Sequence, residues 1–409
     1  MDLSLLMPIL IILSGLFLLV KLKFFFILHP IKTMKKIVIG LKDRNVSRSF
    51  FLALSGTLGV GNIFGVAAGI MIGGEGSLFW LFLSSIFSAI IKYAEVLLVF
   101  DRDVGGGMAG LICETLKRGK ILSVVYAGFT VILSLTMGAA IQASAVCDVG
   151  VHSMGFHPLT TVFIIGILLI PALIGGAKRI ENITEYIIPL TTIIYIIMCS
   201  CVIFVNFDRL PTTVFGVVKS AFSFRSATGG ITALAIKEGF ARGVLSNEAG
   251  TGTSALAHSR SKGRSPHLAG LFGMCEVFFD TTVLCSLTGL SILLAVDDIS
   301  SYETPMSLVF SAFQQSLGGW SKLLLPLIFA FAYSTMICWF YYGMEYCRLY
   351  FSWFKGGFIF AFLGFVCLSY ILSAKSLLYF TDLVIFLMTL LTLSVICKGF
   401  KRIKKEGLL

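Results

Sequence analysis

Charged residues are scarce in this chain, since only 13% of its 409 residues are Asp, Glu, Lys or Arg. Soluble globular proteins carry about 25% charged and about 45–50% apolar residues. Here 57% of the residues are hydrophobic, and the mean hydropathy is +0.95. A water-soluble fold of this length could not bury so much apolar surface. The composition therefore excludes an ordinary soluble protein and predicts a membrane protein.

Signatures of catalysis and metal binding are also missing. The ten cysteines include no C-x-x-C pair, and the five histidines show no metal-ligand spacing. A zinc or thiol-redox site therefore has no support. No H-E-x-x-H, G-x-S-x-G or P-loop sequence is present, which argues against a membrane hydrolase and against transport driven directly by ATP. We predict that the chain is not an enzyme.

The net charge of +11 does not indicate a nucleic-acid partner, because the basic residues lie in short loops between apolar runs. They concentrate in alternate loops along the whole chain, from the segment Lys32–Arg48 to the tail at Lys398–Lys405. The positive-inside rule then predicts a multi-pass protein of a bacterial inner membrane, with the N-terminus outside and the C-terminus in the cytoplasm. The apolar start has no basic residues before it and no cleavage site, so we expect a retained membrane helix.

Apolar runs of about 20 residues, the length that crosses a bilayer, predict eleven transmembrane helices in an all-α polytopic membrane protein. We divide the chain into an extra N-terminal helix at 1–30, two repeats at 31–210 and 211–400, and a basic cytoplasmic tail at 401–409. The spans are expected near residues 4–23, 51–73, 77–99, 121–146, 157–175, 185–206, 229–257, 267–296, 321–342, 357–373 and 379–397.

Two predicted spans are interrupted, one by glycines over Gly56–Gly69 and one by glycines over Gly239–Gly252 together with the polar run Ser246–Glu248. Unwound backbone at membrane depth is tolerated only where it is buried in protein or lines a cavity. With the first span set aside, these two spans lead successive sets of five that cross the membrane in opposite directions, as in the inverted repeats of secondary transporters. Close helix packing alone would explain Gly65 and Gly69, but not the polar run.

Six segments of the chain form a distinctive set: GTLGVGNIFGVAAG at Gly56–Gly69, GGEGSLFW at Gly73–Trp80, KYAEV at Lys92–Val96, GGAKRI at Gly175–Ile180, ARGVLSNEAGTG at Ala241–Gly252 and AYSTMICWFYYG at Ala332–Gly343. They resemble the alanine or glycine:cation symporter family, and the similarity is colinear over most of the chain. The resemblance implies a leucine-transporter-type fold, with ten core helices in two inverted five-helix repeats whose first and sixth helices are broken. It also implies uptake of alanine or glycine coupled to Na⁺, or in some members to H⁺.

The substrate site is expected where the two interruptions meet. A zwitterionic amino acid needs donors for its carboxylate and acceptors for its ammonium, and the free backbone groups of broken helices supply both. Gln142 could instead bridge helices, and Trp339 could be a packing aromatic rather than a lid that favours small side chains. The predicted substrate-binding residues are Thr57, Gly59, Gly61, Gln142, Ser246, Asn247, Glu248, Thr251 and Trp339.

The resemblance implies Na⁺ as a transported coupling ion, which prefers carbonyl and hydroxyl oxygens as ligands. The hydroxyls of Ser334 and Thr335 could instead bond back to their own helix, as is common in membrane helices. By similarity to the sodium sites of this fold, the ion would lie between the first and the eighth core helix. The resemblance then implies as ion ligands Ser55, Leu58, Phe331, Ser334 and Thr335.

The buried acids receive separate interpretations. We expect Glu248 to pair with Arg242 or with backbone donors rather than to carry a proton. Asp280 is a second acid that could approach the ion site. Lys92 and Glu95 are expected to pair locally near a helix end, and we assign them no role.

The chain departs from the family pattern at several positions, with Val60 in place of Thr and Cys338 in place of Gly. These departures bear on the identity of the substrate and not on the role in transport. One alternative is an H⁺-coupled or altered-substrate amino-acid transporter of the same fold. A less favoured alternative is an ion channel, which would need a continuous pore. The predicted partners are a small amino acid, alanine or glycine, and the lipid bilayer, with no nucleic acid. The sequence does not fix the oligomeric state, and a monomer is compatible with it.

Overall fold

The computed structural model describes residues 3–103, 105–223, 230–261, 265–372 and 374–407. Within these ranges every regular element is a helix, and none is a β-strand. Helices satisfy their own backbone hydrogen bonds, which is what a lipid environment requires. The all-α fold is confirmed. Residues 1–2 and 408–409, at the two ends of the predicted division of the chain, lie outside the described residues.

The N-terminal half of the chain folds into ten helices within the described residues. A 3₁₀ turn at Val60–Asn62 separates α4 from α5, and a π-helical segment at Ser134–Ile141 separates α8 from α9. The helices are α1 (Leu3–Lys21), α2 (Phe25–Leu28), α3 (Pro30–Leu41), α4 (Arg44–Thr57), α5 (Phe64–Gly73), α6 (Gly76–Arg102), α7 (Gly107–Thr115), α8 (Gly119–Leu133), α9 (Gln142–Met154) and α10 (Pro158–Val205).

The C-terminal half repeats this mixture of long and interrupted helices. A second π-helical segment at Phe278–Cys285 separates α14 from α15, and short 3₁₀ turns precede α11, α16, α17 and α18. The helices are α11 (Leu210–Ala221), α12 (Gly230–Asn247), α13 (Ala255–His258), α14 (Pro266–Val277), α15 (Ser286–Ala295), α16 (Pro305–Leu317), α17 (Leu324–Tyr350), α18 (Lys355–Leu368) and α19 (Ala374–Gly407).

Helix starts follow the capping chemistry of the sequence. The Asp43 carboxylate accepts a hydrogen bond from the N–H of Asn45 at 2.9 Å and begins α4. The Ser265 hydroxyl accepts from the N–H of Leu268 at 3.2 Å, with Pro266 in the first turn of α14. Such caps satisfy amide groups that have no partner inside the helix. They fix where each helix enters the bundle.

Six continuous helical stretches among the described residues are long and apolar enough to cross a membrane, and the bent pair α4 and α5 could form a seventh span. The stretches include α6, α10 and the α14–α15 run. This pattern fits a polytopic membrane protein. Each of the eleven predicted spans contains helix among its described residues, while residues 229 and 373, at the ends of two of them, lie outside the described residues. The number of helices that cross the bilayer and the inverted repeats remain predictions.

The longest helix, α10, covers two predicted spans. It runs for 48 residues and bends at Gly176, where φ is 66°. At about 1.5 Å per residue its length is more than twice the hydrocarbon thickness of a bilayer. The sequence places a loop at 176–184, whereas the structure changes direction at a single glycine with a left-handed φ.

Helix α6 lies at the centre of the bundle and packs along α12, α14 and α1. Glycines allow these close approaches: a Cβ on Gly239 would lie 2.6 Å from the Cβ of Trp80, and one on Gly273 would lie 2.7 Å from Val96. The close-packing explanation therefore holds for these glycines. It also holds for Gly69, whose Cβ would lie 3.0 Å from Arg242, but a Cβ on Gly65 would meet nothing within 4 Å.

Candidate functional site

The first interruption bends the chain by 59° between α4 and α5. Leu58 leaves helical geometry, with φ −76° and ψ 80°, and Gly59 is extended. The Gly59 N–H donates to the Asn62 side-chain oxygen at 3.0 Å, which stabilises the turn. The interruption predicted from the glycines is confirmed, and it leaves the carbonyls of Ser55 and Leu58 without partners in their own helix.

Gly59 is required at this turn by close approach. A Cβ there would lie 2.9 Å from the Gln142 side-chain oxygen and 2.9 Å from the Thr335 hydroxyl. A Cβ on Gly61 would meet nothing within 4 Å, so that residue borders open space. The two glycines thus have different surroundings: one is enclosed by polar side chains, and the other faces unfilled volume.

The second interruption separates α12 from α13 and is built by left-handed residues. Glu248, Gly250 and Gly252 all have positive φ, at 53°, 92° and 76°. The Thr251 hydroxyl donates to the Glu248 carbonyl at 2.6 Å and so stabilises the turn internally. A non-glycine residue with positive φ is strained and is typical of functional sites. Glu248 is therefore held in place by its surroundings.

The two interruptions meet at Asn62, Ser246 and Asp280. The Asn62 amide donates to the Ser246 hydroxyl at 3.0 Å and to the Asp280 carboxylate at 2.5 Å. The Ser246 hydroxyl donates to the other oxygen of Asp280 at 2.8 Å. All three side chains are buried. One carboxylate therefore joins both interruptions. Sequence reasoning gave Asn62 no role, although it belongs to the GNI motif.

Asp280 lies within the π-helical segment Phe278–Cys285. Such segments are rare and often occur at functional sites. The Thr281 hydroxyl donates to the Asp280 carboxylate at 2.6 Å, so Asp280 accepts from three side chains in total. The expectation that Asp280 approaches the ion site stays a prediction, because its carboxylate accepts from Asn62, Ser246 and Thr281 and not from the ligands predicted for Na⁺.

Thr335 contacts the first interruption. Its hydroxyl lies 3.0 Å from the Ser55 carbonyl and 3.0 Å from the Leu58 carbonyl, and it donates toward both. Ser334 instead donates to the Phe331 carbonyl of its own helix, α17, at 2.9 Å. The back-bonding alternative therefore describes Ser334 and not Thr335. Three of the five predicted ion ligands, Ser55, Leu58 and Thr335, lie together.

Gln142 and Trp339 also contact the first interruption. The Gln142 side-chain oxygen accepts from the Val60 N–H at 3.1 Å, and the Trp339 indole N–H donates to the Gly56 carbonyl at 3.2 Å. Gln142 follows directly after the π-helical segment Ser134–Ile141. Both side chains bridge helices, and each does so to a backbone group that the interruption frees. The Thr57 hydroxyl bonds within α4, to the Leu54 carbonyl at 3.2 Å.

The predicted substrate residues of the second interruption face other partners. The Asn247 side-chain amide donates to the Thr281 hydroxyl at 3.1 Å. The Thr251 carbonyl accepts from the Tyr126 hydroxyl at 2.6 Å. Ser246 is thus the member of this group that reaches the first interruption, while Asn247 and Thr251 are bound to neighbouring helices.

The expected pairing of Glu248 with Arg242 is wrong. Arg242 pairs with Glu238 at 3.0 Å, one helical turn earlier on α12. Residues four apart on a helix are neighbours, whereas Glu248 follows the end of α12. The Glu248 carboxylate accepts from the Thr253 hydroxyl at 2.6 Å, and its second oxygen is buried with no hydrogen-bond partner.

The expected local pairing of Lys92 with Glu95 is also not what the structure shows, because each of these buried side chains bonds to another part of the chain. The Lys92 ammonium lies 3.3 Å from the Glu276 carboxylate and donates to the Asn247 carbonyl at 2.9 Å. Glu95 accepts from the Gly250 N–H. Both residues therefore act on the second interruption. The sequence signal is their spacing of three in an apolar run, which places both on one helix face.

Metal-binding clusters do not appear in this part of the molecule. Among the described residues, no group of three or more His, Cys, Asp or Glu side chains is placed to hold a metal ion. Around the Ser55 and Leu58 carbonyls of the first interruption the polar groups are the Thr335 hydroxyl and the Gln142 amide, which are neutral. The carboxylate of Asp280 lies at Asn62, at the other end of the turn.

Comparisons with known proteins show what this chain is similar to. A family model described as the sodium:alanine symporter family matches residues 2–406. An uncharacterized transporter of Haemophilus influenzae is 32% identical over 369 residues, 85% of this chain and 80% of that protein. The sodium/alanine symporter AgcS of Methanococcus maripaludis is 33% identical over 326 residues, 76% of this chain and 71% of that protein. The probable sodium/glutamine symporter GlnT of Bacillus subtilis is 29% identical over 359 residues, 83% of this chain and 73% of that protein.

Proposed function

Because the chain belongs to the sodium:alanine symporter family, a family of amino-acid:cation symporters and not of enzymes, we propose that it imports alanine or glycine together with Na⁺ by alternating access. We further propose eleven membrane-spanning helices, with a ten-helix core of two inverted repeats at 31–210 and 211–400. In this arrangement the N-terminus lies outside a bacterial inner membrane, and the C-terminal tail lies in the cytoplasm.

The observation that carries the proposal is the meeting of the two interruptions at Asn62, Ser246 and Asp280. Two broken helices that face each other offer bare N–H and C=O groups at one place, which suits a zwitterion. On the side of α4 and α5, the proposed site is bordered by the backbone of Gly59 and Gly61, the Gln142 amide and the Trp339 indole. The proposed substrate set also includes Thr57, Asn247, Glu248 and Thr251, which border the interruptions.

The ion is proposed to bind between α4 and α17. The carbonyls of Ser55 and Leu58 already share one hydroxyl, that of Thr335. A cation at that point would replace hydrogen bonds that the hydroxyl now donates, and the hydroxyl would turn its lone pairs toward the ion. Ser334 and Phe331, one turn of α17 apart and bonded to each other, complete the proposed set.

Radiolabelled alanine and glycine uptake into proteoliposomes tests the proposal, with Na⁺ and H⁺ gradients imposed separately. We expect saturable uptake that follows the Na⁺ gradient and disappears when K⁺ replaces Na⁺. Uptake that follows only the H⁺ gradient would favour the proton-coupled alternative. Flux that rises linearly with substrate and needs no ion gradient would favour a channel and contradict the proposal.

A second substrate deserves a direct comparison, because one relative is named a probable sodium/glutamine symporter. Competition of labelled alanine uptake by unlabelled glutamine, glycine and leucine separates the candidates. The proposal expects glycine to compete and leucine to fail. Stronger competition by glutamine than by glycine would replace the substrate while keeping the transport mechanism.

A further inference from the structure

Lys92 is a charged side chain that the proposed substrate and ion sites do not use. It lies within α6, and its side chain is 0% exposed, as is that of its partner Glu276. A charge buried in a membrane protein is costly and is retained where it pairs with other groups or performs a function. The ammonium has two partners: the Glu276 carboxylate at 3.3 Å and the Asn247 carbonyl at 2.9 Å.

The Asn247 carbonyl belongs to the last residue of α12. Carbonyls at the end of a helix lack partners within it and carry the negative end of the helix dipole. A cation is therefore favoured at this position. On the other side of the interruption the Glu95 carboxylate accepts from the Gly250 N–H. One face of α6 thus places the Lys92 ammonium at the Asn247 carbonyl and the Glu95 carboxylate at the Gly250 N–H.

The same kind of carbonyl end has a different partner at the first interruption. There the carbonyls of Ser55 and Leu58 face the neutral hydroxyl of Thr335. A free cation can be accepted at that end and released again. At the second interruption the position beside the carbonyl is already filled by an ammonium that is covalently part of the chain.

The charges around Lys92 are unbalanced. One ammonium faces three buried carboxylates, those of Glu276, Glu95 and Glu248. Glu95 and Glu248 each keep one oxygen with no hydrogen-bond partner. Removal of the ammonium would take away the lysine partner of Glu276 and leave the excess of carboxylates larger in a medium of low dielectric constant.

We propose that Lys92 is a resident cation of the second interruption, which holds α12 and α13 apart in the way that a bound ion would and thereby limits the requirement for free cations to the first interruption. It is a positioning residue, since its partners are Glu276 and the backbone and not the substrate. The inference rests on the proposed symport function.

Replacement of Lys92 by glutamine tests this inference in proteoliposomes. The uptake of Lys92→Gln is expected to require an additional cation. Its half-saturating Na⁺ concentration should rise by at least about fivefold, the lower end of typical coupling between two sites, with a steeper Na⁺ dependence, or its uptake should become restricted to acidic pH as a carboxylate takes up a proton. The titratable groups that face Lys92 are Glu276, Glu95 and Glu248. Those carboxylates in turn interact with His258, Asp280, Tyr126 and Tyr342.

Two further variants separate charge from packing. The double variant Lys92→Gln/Glu276→Gln restores the original net charge of the cluster, so its Na⁺ and pH dependence should return toward wild type. Arg242→Gln removes a membrane cation whose partner is Glu238 and not the interruption, so its Na⁺ dependence should keep the wild-type slope. Monodisperse gel filtration identifies the variants that fold.

A folded Lys92→Gln protein with wild-type Na⁺ and pH curves would overturn the inference, and so would a double variant with the same altered curves as the single variant. If Lys92→Gln does not fold, the test is the double variant Lys92→Gln/Glu276→Gln. Folding and transport by the double variant would support the inference, and its failure to fold would overturn the inference. Absence of Na⁺-driven uptake by the wild-type protein would instead contradict the proposed function, so the two failures are distinguishable.

Discussion

Gln142 and Val60 are 82 residues apart, yet the Gln142 side-chain oxygen accepts the Val60 N–H at 3.1 Å. This hydrogen bond satisfies an amide that the first interruption removes from regular helix. It also ties α9 to the short 3₁₀ turn at Val60–Asn62. The geometry of the interruption therefore depends on a side chain from another helix.

Replacement of Gln142 by leucine is expected to reduce alanine uptake. The Val60 N–H would remain buried without a partner, at a cost of about 1–3 kcal/mol, which corresponds to about 5- to 150-fold in a coupled equilibrium. Initial rates over a range of alanine concentrations measure the loss. Thr136→Val is the control, because the Thr136 hydroxyl bonds only to the Ile132 carbonyl of its own helical run. Equal losses in both variants would contradict the role of Gln142.

Thr335→Val should lower the apparent affinity of the transporter for Na⁺. Valine keeps the shape of threonine but cannot offer a hydroxyl to the ion held with the Ser55 and Leu58 carbonyls. We expect the half-saturating Na⁺ concentration to rise about tenfold, equivalent to about 1.4 kcal/mol. Ser334→Ala should produce a smaller rise, since its hydroxyl bonds back to the Phe331 carbonyl. Unchanged Na⁺ dependence in Thr335→Val would place the ion elsewhere.

Gly59→Ala is expected to abolish most uptake without unfolding the protein. The added methyl would lie 2.9 Å from both the Gln142 oxygen and the Thr335 hydroxyl, and overpacking of this kind costs about 1–3 kcal/mol. Gly65→Ala is the matched control, because a Cβ there meets nothing within 4 Å. The two variants should elute alike in gel filtration, which reports folding, and differ in alanine uptake, which reports activity. Normal transport by Gly59→Ala would contradict this prediction, because it would show that the turn shifts to accommodate the added methyl group.

Trp339→Leu should widen the range of accepted amino acids. The indole is fully buried and donates to the Gly56 carbonyl, so its loss would open volume beside the first interruption. We expect unlabelled leucine to inhibit alanine uptake in the variant and not in the wild type. Trp320→Leu serves as control, since Trp320 is 73% exposed. A variant that excludes leucine as well as the wild type does would identify Trp339 as a packing residue.

Much of this arrangement could be predicted from local composition. Glycines and polar residues within apolar runs marked both interruptions, because such residues cannot continue a lipid-facing helix without cost. Composition also identified Gly59, whereas Ser55, Leu58 and Thr335 were identified through the resemblance to the symporter family. The structure brings these four residues together.

What could not be predicted depends on contacts between distant parts of the chain. Lys92 is 155 residues from Asn247, and no local pattern relates them. Arg242 had a nearer partner one turn away, so the choice between Glu238 and Glu248 depended on where α12 ends. The position of Asn62 between the two interruptions likewise follows from helix packing and not from its neighbours in sequence.

The π-helical segments Ser134–Ile141 and Phe278–Cys285 have a consequence for evolution by insertion and deletion. Each wider turn accommodates an extra residue compared with α-helix, directly before Gln142 and around Asp280. Deletion of that extra residue would return the segment to ordinary α-helical pitch and keep the flanking helices in register. Side chains inside the segment would change position, so the Asp280 carboxylate would move away from Asn62 and Ser246. A single lost codon would therefore disconnect the two interruptions while leaving a well-formed helix.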